Sequence, residues 1–240
     1  LPGTWSSSAG KTCIGNYTCY AIRTNGTLWS WGRDFIGNLG HNQGGTYPSY
    51  PASKSSPTQI GTNTNWNQML HCDVHATSAT KTDGTLWSWG YNGDGQLGLN
   101  EATGTNRSSP TQVPGTNWSR VFMMNACQIA TKTDGTLWAW GNNTYGQLAQ
   151  NTDGNPTRLS SPTQIGTETT WTHGSLEGVW NAGGFCKKTD GTLWCWGINT
   201  AGQLGLNSRV NYSSPVQVST YSDGWLTYGR MGGAANAIIK

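Results

Sequence analysis

Thr82-Asp83-Gly84-Thr85-Leu86-Trp87-Ser88-Trp89-Gly90 decides the fold, because the chain writes this stretch four times. The other copies occupy residues 24–32, 133–141 and 189–197. Asp-Gly, or Asn25-Gly26 in the first copy, is a strong hairpin signal, and the pair predicts a two-residue type I′ turn with φ > 0 at both positions. A strand runs into the turn and another runs out. In the outgoing strand side chains alternate, so Trp87 and Trp89 share one face and Leu86 and Ser88 the other. The residue between the two tryptophans is Ser30, Ser88, Ala139 or Cys195. It is small in every copy, as expected where another backbone comes close.

Composition agrees with a β protein. The 240 residues can bury a full core. Only 10% are charged and 34 are glycine, which suits many short strands joined by glycine-rich turns. A net charge of +3 gives no ground for nucleic-acid binding. No apolar run reaches membrane-spanning length, and no secretory signal peptide is visible.

Three further markers keep a fixed phase with the hairpins. Ser-Ser-Pro ends at Pro57, Pro110, Pro162 and Pro215, with spacings of 53, 52 and 53 residues. A lone tryptophan opens each unit: Trp5, Trp66, Trp118, Trp171 and Trp225. A Gly-x-Leu-Gly loop follows each hairpin at 37–40, 95–98, 146–149 and 202–205, with Ala149 replacing the last glycine of the third. One unit then reads as four strands, at 118–124, 127–132, 136–141 and 162–165, the last starting at its proline as an outer edge strand. Four strands in about 50 residues are the mark of a β-propeller blade. The chain is expected to be a single propeller domain or segment over 1–240. Its repeats are 1–60, 61–113, 114–165 and 166–218, with a half-repeat at 219–240.

Asp83-Gly84, Trp89-Gly90 and Asn92-x-x-Gly95-Gln96-Leu97-Gly98 together resemble the repeats of the regulator-of-chromosome-condensation family. Residues 199–205 match as well, and the first copy departs at Asn38, with Arg33-Asp34 before it. The resemblance covers essentially the whole chain. It implies an all-β propeller, usually of seven blades, of which about four and a half are present here. Family members include a GTPase exchange factor, a plant ultraviolet-B receptor and β-lactamase inhibitors, and the Thr/Asn/Ser-rich wording is similar to bacterial and bacteriophage members. Both ends supply first and second strands and cannot complete each other. The expectation is a piece of a longer chain, or an open blade edge available for self-assembly.

Candidate sites are few. Of 14 tryptophans, 13 sit at repeat positions and read as packing between blades, Trp180 being the exception. A light-sensing tryptophan cluster would need arginine neighbours, and the 14 Lys and Arg look dispersed. Cys186 aligns with Ala21, Ala79 and Ala130 and reads as a small buried residue. A Cys13–Cys19 disulfide, or one between blades, is an open alternative to free thiols. His71, Asp73 and His75 share a strand face and form a weak metal-like cluster. The linkers before Ser-Ser-Pro each carry one basic residue, Lys54, Arg107, Arg158 and Arg209, with Tyr47, Tyr50, Tyr145 and Tyr212 in or near them. Variable loops on a rigid scaffold are where binding resides. These eight residues are therefore the candidate partner-binding set.

No nucleophile-base spacing, phosphate-cradling loop or paired carboxylates appear, so no enzyme and no cofactor are indicated. The leading expectation is a non-catalytic recognition or structural module of a bacteriophage virion or bacterial surface, binding protein or cell-surface glycan. Two alternatives stand beside it. One is a soluble protein–protein regulator, such as an exchange factor or enzyme inhibitor, for which a cytoplasmic location is the alternative setting. The other is a glycan-binding propeller, against which the unequal tyrosine positions argue.

Overall fold

The computed structural model describes residues 4–8, 10–15, 17–44, 51–72, 76–124, 126–152, 157–172, 177–179, 183–218, 227–229 and 237–239. The chain divides into two compact units, residues 1–118 and 119–240. The first contains two four-stranded sheets. One is β1 (Thr12–Ile14), β2 (Thr18–Ile22), β3 (Leu28–Gly32) and β4 (Lys54–Gln59); the other is β5 (Trp66–Cys72), β6 (Ala76–Lys81), β7 (Leu86–Gly90) and β8 (Arg107–Gln112). The second unit, with Trp118 at its boundary, contains β9 (Trp118–Met124), β10 (Cys127–Lys132), β11 (Leu137–Asn142) and β12 (Arg158–Gln164) as one sheet. It also contains β13 (Glu177–Val179), β14 (Gly183–Lys187), β15 (Leu193–Gly197) and β16 (Tyr212–Gln217), followed by the pair β17 (Thr227–Gly229) and β18 (Ala237–Ile239). Every four-stranded sheet pairs its strands antiparallel in chain order, the meander of a β-propeller blade. The all-β propeller fold class is the expected one.

The hairpin turn differs from expectation. Only the glycine adopts positive φ, as at Gly84 (+77°), whereas Asn25, Asp83, Asp134 and Asp190 do not. The Gly84 amide donates to the Lys81 carbonyl (3.0 Å) and the Lys81 amide to the Thr85 carbonyl (3.0 Å). This is a type I turn closed by a left-handed glycine, the three-residue hairpin loop, rather than type I′. The aspartate serves instead as an acceptor. Asp83 Oδ1 takes the Thr85 amide (3.0 Å) and hydroxyl (2.6 Å), and the Trp87 indole N–H donates to that hydroxyl (2.9 Å). Asp134 and Asp190 repeat the pattern, and these threonine bonds, first of all, hold all three carboxyls below their ordinary range.

The fourth strand also differs. It begins before Ser-Ser-Pro, as in β12 at Arg158 rather than Pro162. Its register to the third strand slips in each blade, as between Ser30↔Thr58 and Gly32↔Lys54. The proline lies in that slip, where a missing amide costs no ladder bond. Cys19 is a free thiol, so the Cys13–Cys19 bridge does not form; Cys13 is disulfide-bonded to a different cysteine.

The Gly-x-Leu-Gly loop is tied under its own blade and, within each unit, joins the first blade to the second. Asn92 Oδ1 accepts the Leu97 amide (3.1 Å), and the Ser88 hydroxyl donates to the Leu97 carbonyl (2.6 Å). Ser30, Ser88, Ala139 and Cys195 are all fully buried, which is the close backbone approach their small size predicted. Cys186 is buried opposite Trp194, as its alignment implied, and burial pushes the Cys195 thiol up to about 12. Within the first unit the Trp89 indole donates to the Asn38 carbonyl (2.8 Å) of the preceding blade; within the second, Trp196 donates likewise to Gln147 (3.1 Å).

The first blade breaks one rule. Asp34 stands where the other blades have Asn92, Asn143 and Asn199, and it is fully buried. Burial pushes its carboxyl up, opposed by nearby backbone amides and by Lys54. Neither oxygen reaches a partner in full hydrogen-bond geometry. A carboxyl raised in the folded state binds more protons folded than unfolded, so stability falls as pH rises from the unfolded value of about 3.9 through the folded one. Asp34→Asn is expected to raise stability at neutral pH by about 1 kcal/mol and to remove that decline. Urea unfolding of both proteins at pH 4.5 and 7.5 checks it; an equal stability difference at the two pH values would contradict the charge argument.

Candidate functional site

Each unit has an open groove between its two neighbouring blades, and the two grooves are built from equivalent residues. In the first unit, Gly40, His41 and Asn42 form one wall with Ile60 and Gly61, and Trp66, Trp87, Ser109 and Pro110 form the other, around about 380 Å³. In the second, Ala149, Gln150 and Asn151 with Ile165 and Gly166 face Trp171, Trp194, Ser214 and Pro215 around about 420 Å³. The repeat supplies the walls for physical reasons. Asn42 and Asn151 take left-handed backbone (φ +56° each), and each donates its amide to a Ser-Ser-Pro serine of the next blade, Ser108 or Ser213, at 2.7 Å. The lone tryptophan is pinned from behind. The Trp66 amide donates to the Gly26 carbonyl and the Trp171 amide to Gly135, both at 3.1 Å.

A cation sits against the two wall indoles of each groove; Lys188 itself lines the second, whereas Lys81 lies behind Trp66 and Trp87 of the first. Lys81 Nζ lies 3.8 Å from the Trp87 ring centroid and 4.9 Å from that of Trp66. Lys188 Nζ lies 3.7 Å from Trp194 and 4.9 Å from Trp171. In the first blade Arg23 sits 3.9 Å from Trp29 and 4.7 Å from Trp5, and in the third Lys132 sits 4.2 Å from Trp138. The tryptophan pairs meet edge to face at 6.0–6.2 Å. Cation–π attraction strengthens when the cation is desolvated, and Lys81 and Lys188 are only 6% and 8% exposed. The basic residues therefore do neighbour the tryptophans, contrary to the dispersed reading. Each occupies the position before Thr-Asp-Gly or Thr-Asn-Gly, a regularity present in the sequence and overlooked there.

The candidate partner-binding residues spread around these walls. Lys54 starts β4 opposite Gly32, and Arg107 starts β8 opposite Gly90, the same repeat position. At that position the third and fourth blades have Leu159 and Tyr212, while Arg158 lies one residue earlier and Arg209 in the preceding loop. The Lys54 ammonium donates to Gln43 (3.1 Å), and Arg107 forms an ion pair with Glu101. Tyr145 and Arg209 are exposed. Tyr47, Tyr50, Asp73 and His75 lie outside the described residues; His71 is in β5, but its side chain is not described. Among the described residues no group of three metal-type ligands occurs, and no helix is long and apolar enough to cross a membrane. His41, in the first groove, has its ring nitrogen 2.9 Å from the Ser30 hydroxyl; burial, aided by Lys54, lowers its pKa, so it is neutral at neutral pH.

The regulator of chromosome condensation (RCC1) repeat matches residues 83–127, 134–173 and 190–232, together more than half of the chain. The ultraviolet-B receptor of Arabidopsis thaliana is 30% identical over 87% of this chain and 45% of its own length. Human WBSCR16 shares the fold at a TM-score of 0.69 and 23% identity, covering 90% of this chain and 55% of that one. Prp20p from Saccharomyces cerevisiae does so at 0.71 and 15% identity, covering 90% and 52%. The chain thus spans about half the length of these relatives. They are eukaryotic and lend no support to the expected nearness to bacterial and bacteriophage members.

Proposed function

Since the chain belongs to the regulator of chromosome condensation repeat family, we propose that it is a non-catalytic module that recognises protein through the grooves between its blades. The observation that carries this reading is the recurrence of one groove, wall for wall, in both units. Its walls are set by backbone bonds and interlocked tryptophans, so little ordering entropy is lost when a partner docks. Its rim residues differ from unit to unit, as His41 against Gln150 and Asn63 against Glu168. A rigid frame with variable rim chemistry suits selective docking. The reported binding properties of Prp20p toward Gsp1p and histones support a protein partner. The relatives offer nothing toward a virion or surface setting or a glycan ligand, and neither enters the proposal.

A photo-cross-linking residue placed at Gln59 or Thr167, both on groove walls, is expected to capture protein in the native source, giving adducts of defined mass that excess unlabelled protein removes. The same residue at Ile14, 80% exposed on β1, is expected to give none. Equal labelling at Ile14, or no competed adduct at either groove, would count against the reading.

A further inference from the structure

The two grooves differ in one charge. In the second unit Glu168 on the groove wall reaches the lysine between the indoles, with Lys188 Nζ and Glu168 Oε2 at 2.7 Å. In the first unit the equivalent wall position is Asn63, three residues after Ile60 as Glu168 is after Ile165. Lys81 is buried to the same degree between the same two indoles, yet among the described residues it has no ion-pair partner. The nearby Asp83 carboxylate is turned to Thr85. Burial lowers the Lys81 pKa, with Asp83 opposing, as for an ammonium held without a close counter-charge. The indole N–H groups do not distinguish the grooves: Trp66 in the first and Trp171 in the second are both buried without an acceptor among the described residues, so the difference lies in the carboxylate alone.

We infer that the first-unit groove is a binding site for a carboxylate side chain, Asp or Glu, of a partner protein, which pairs with Lys81 as Glu168 pairs with Lys188. The second-unit groove carries its own carboxylate and is self-occupied. The tryptophan and proline walls take the aliphatic stem, and the lysine takes the charge. One groove therefore discriminates acidic from neutral side chains, and the other does not.

The inference rests on the protein-recognition reading, and its test is separable from that one. Indole N–H signals of Trp66 and Trp87 are followed by NMR while a blocked pentapeptide with a central glutamate is titrated, and again with glutamine in its place. The glutamate peptide is expected to shift both signals and bind at least about tenfold more tightly than the glutamine peptide. Asn63→Glu, which installs the second unit's carboxylate in the first, is expected to weaken glutamate binding at least about tenfold while keeping the fold. Glu168→Gln is expected to open a second site, read as new shifts at Trp171 and Trp194. Lys81→Met removes the charge and keeps the stem, and it is expected to abolish the preference. Equal response to the two peptides, no shift at Trp66 and Trp87, or indifference to Asn63→Glu overturns the inference. If Gln59 or Thr167 still cross-links to protein in that case, only the carboxylate assignment falls; if neither does, the recognition reading falls too.

Discussion

Trp89→Ala is expected to cost about 3–5 kcal/mol of folding stability, the largest loss of any single tryptophan replacement in the first unit. Trp89 is fully buried. Its ring packs edge to face on Tyr20 and Trp66, at centroid distances of 6.2 Å each, and its indole N–H donates to the Asn38 carbonyl at 2.8 Å. It therefore joins the two blades of the unit by area and by a hydrogen bond. Alanine would leave a cavity and remove one of the two donors to the Asn38 carbonyl, the Tyr20 hydroxyl being the other. Trp89→Phe should keep most of the packing and lose mainly the hydrogen bond, about 1–1.5 kcal/mol. Trp5→Ala should cost far less, because Trp5 is 41% exposed. Urea unfolding followed by circular dichroism checks the order, and a Trp89→Ala loss below that of Trp5→Ala would refute the joining role of Trp89.

Gly141→Ala is expected to be nearly as severe, about 3 kcal/mol or more, for a backbone reason. Gly141 follows the second tryptophan of the repeated strand and takes φ +101°, a region L side chains rarely enter. An added Cβ would sit 2.5 Å from the Ala126 carbonyl oxygen and 2.6 Å from Cys127 Cα, both backbone atoms that cannot swing aside. Gly32, Gly90 and Gly197 hold the same place at +106°, +104° and +103°. By contrast Gly166→Ala meets only open space, though its φ of +60° still carries a strain cost of about 1 kcal/mol. Comparing the two variants by thermal unfolding separates the collision from the strain. Equal losses would show that the close approach to Cys127 is relieved at no cost.

The four-strand blade was legible from the chain because every unit repeats its turn, its paired tryptophans and its Ser-Ser-Pro at one phase. Alternation along a strand is fixed by covalent geometry, so Trp87 and Trp89 could be placed on one face before any contact was known. The turn type was not legible. Asp-Gly serves both two- and three-residue hairpin loops, and the choice depends on Asp83 bonding to Thr85 and on the strand register beyond it. The start of the fourth strand was misplaced because its proline sits in a bulge, a feature of pairing between strands.

The grooves show the same division. Sequence alone determined the blade, its buried faces and the small residue beneath each loop, because these follow from local spacing and side-chain size. Tertiary structure decided which residues come together across blades, because packing of the two sheets sets Gly40, Ile60, Trp66 and Pro110 around one groove. Lys81 and Lys188 precede the same turn in the same words, and nothing in that stretch tells them apart. Only the folded chain shows that Glu168, from the linker between blades, answers one lysine while Asn63 leaves the other without a carboxylate. Charge pairing at a few ångströms is a property of positions in space, which the order of residues along the chain specifies only once the blades have packed.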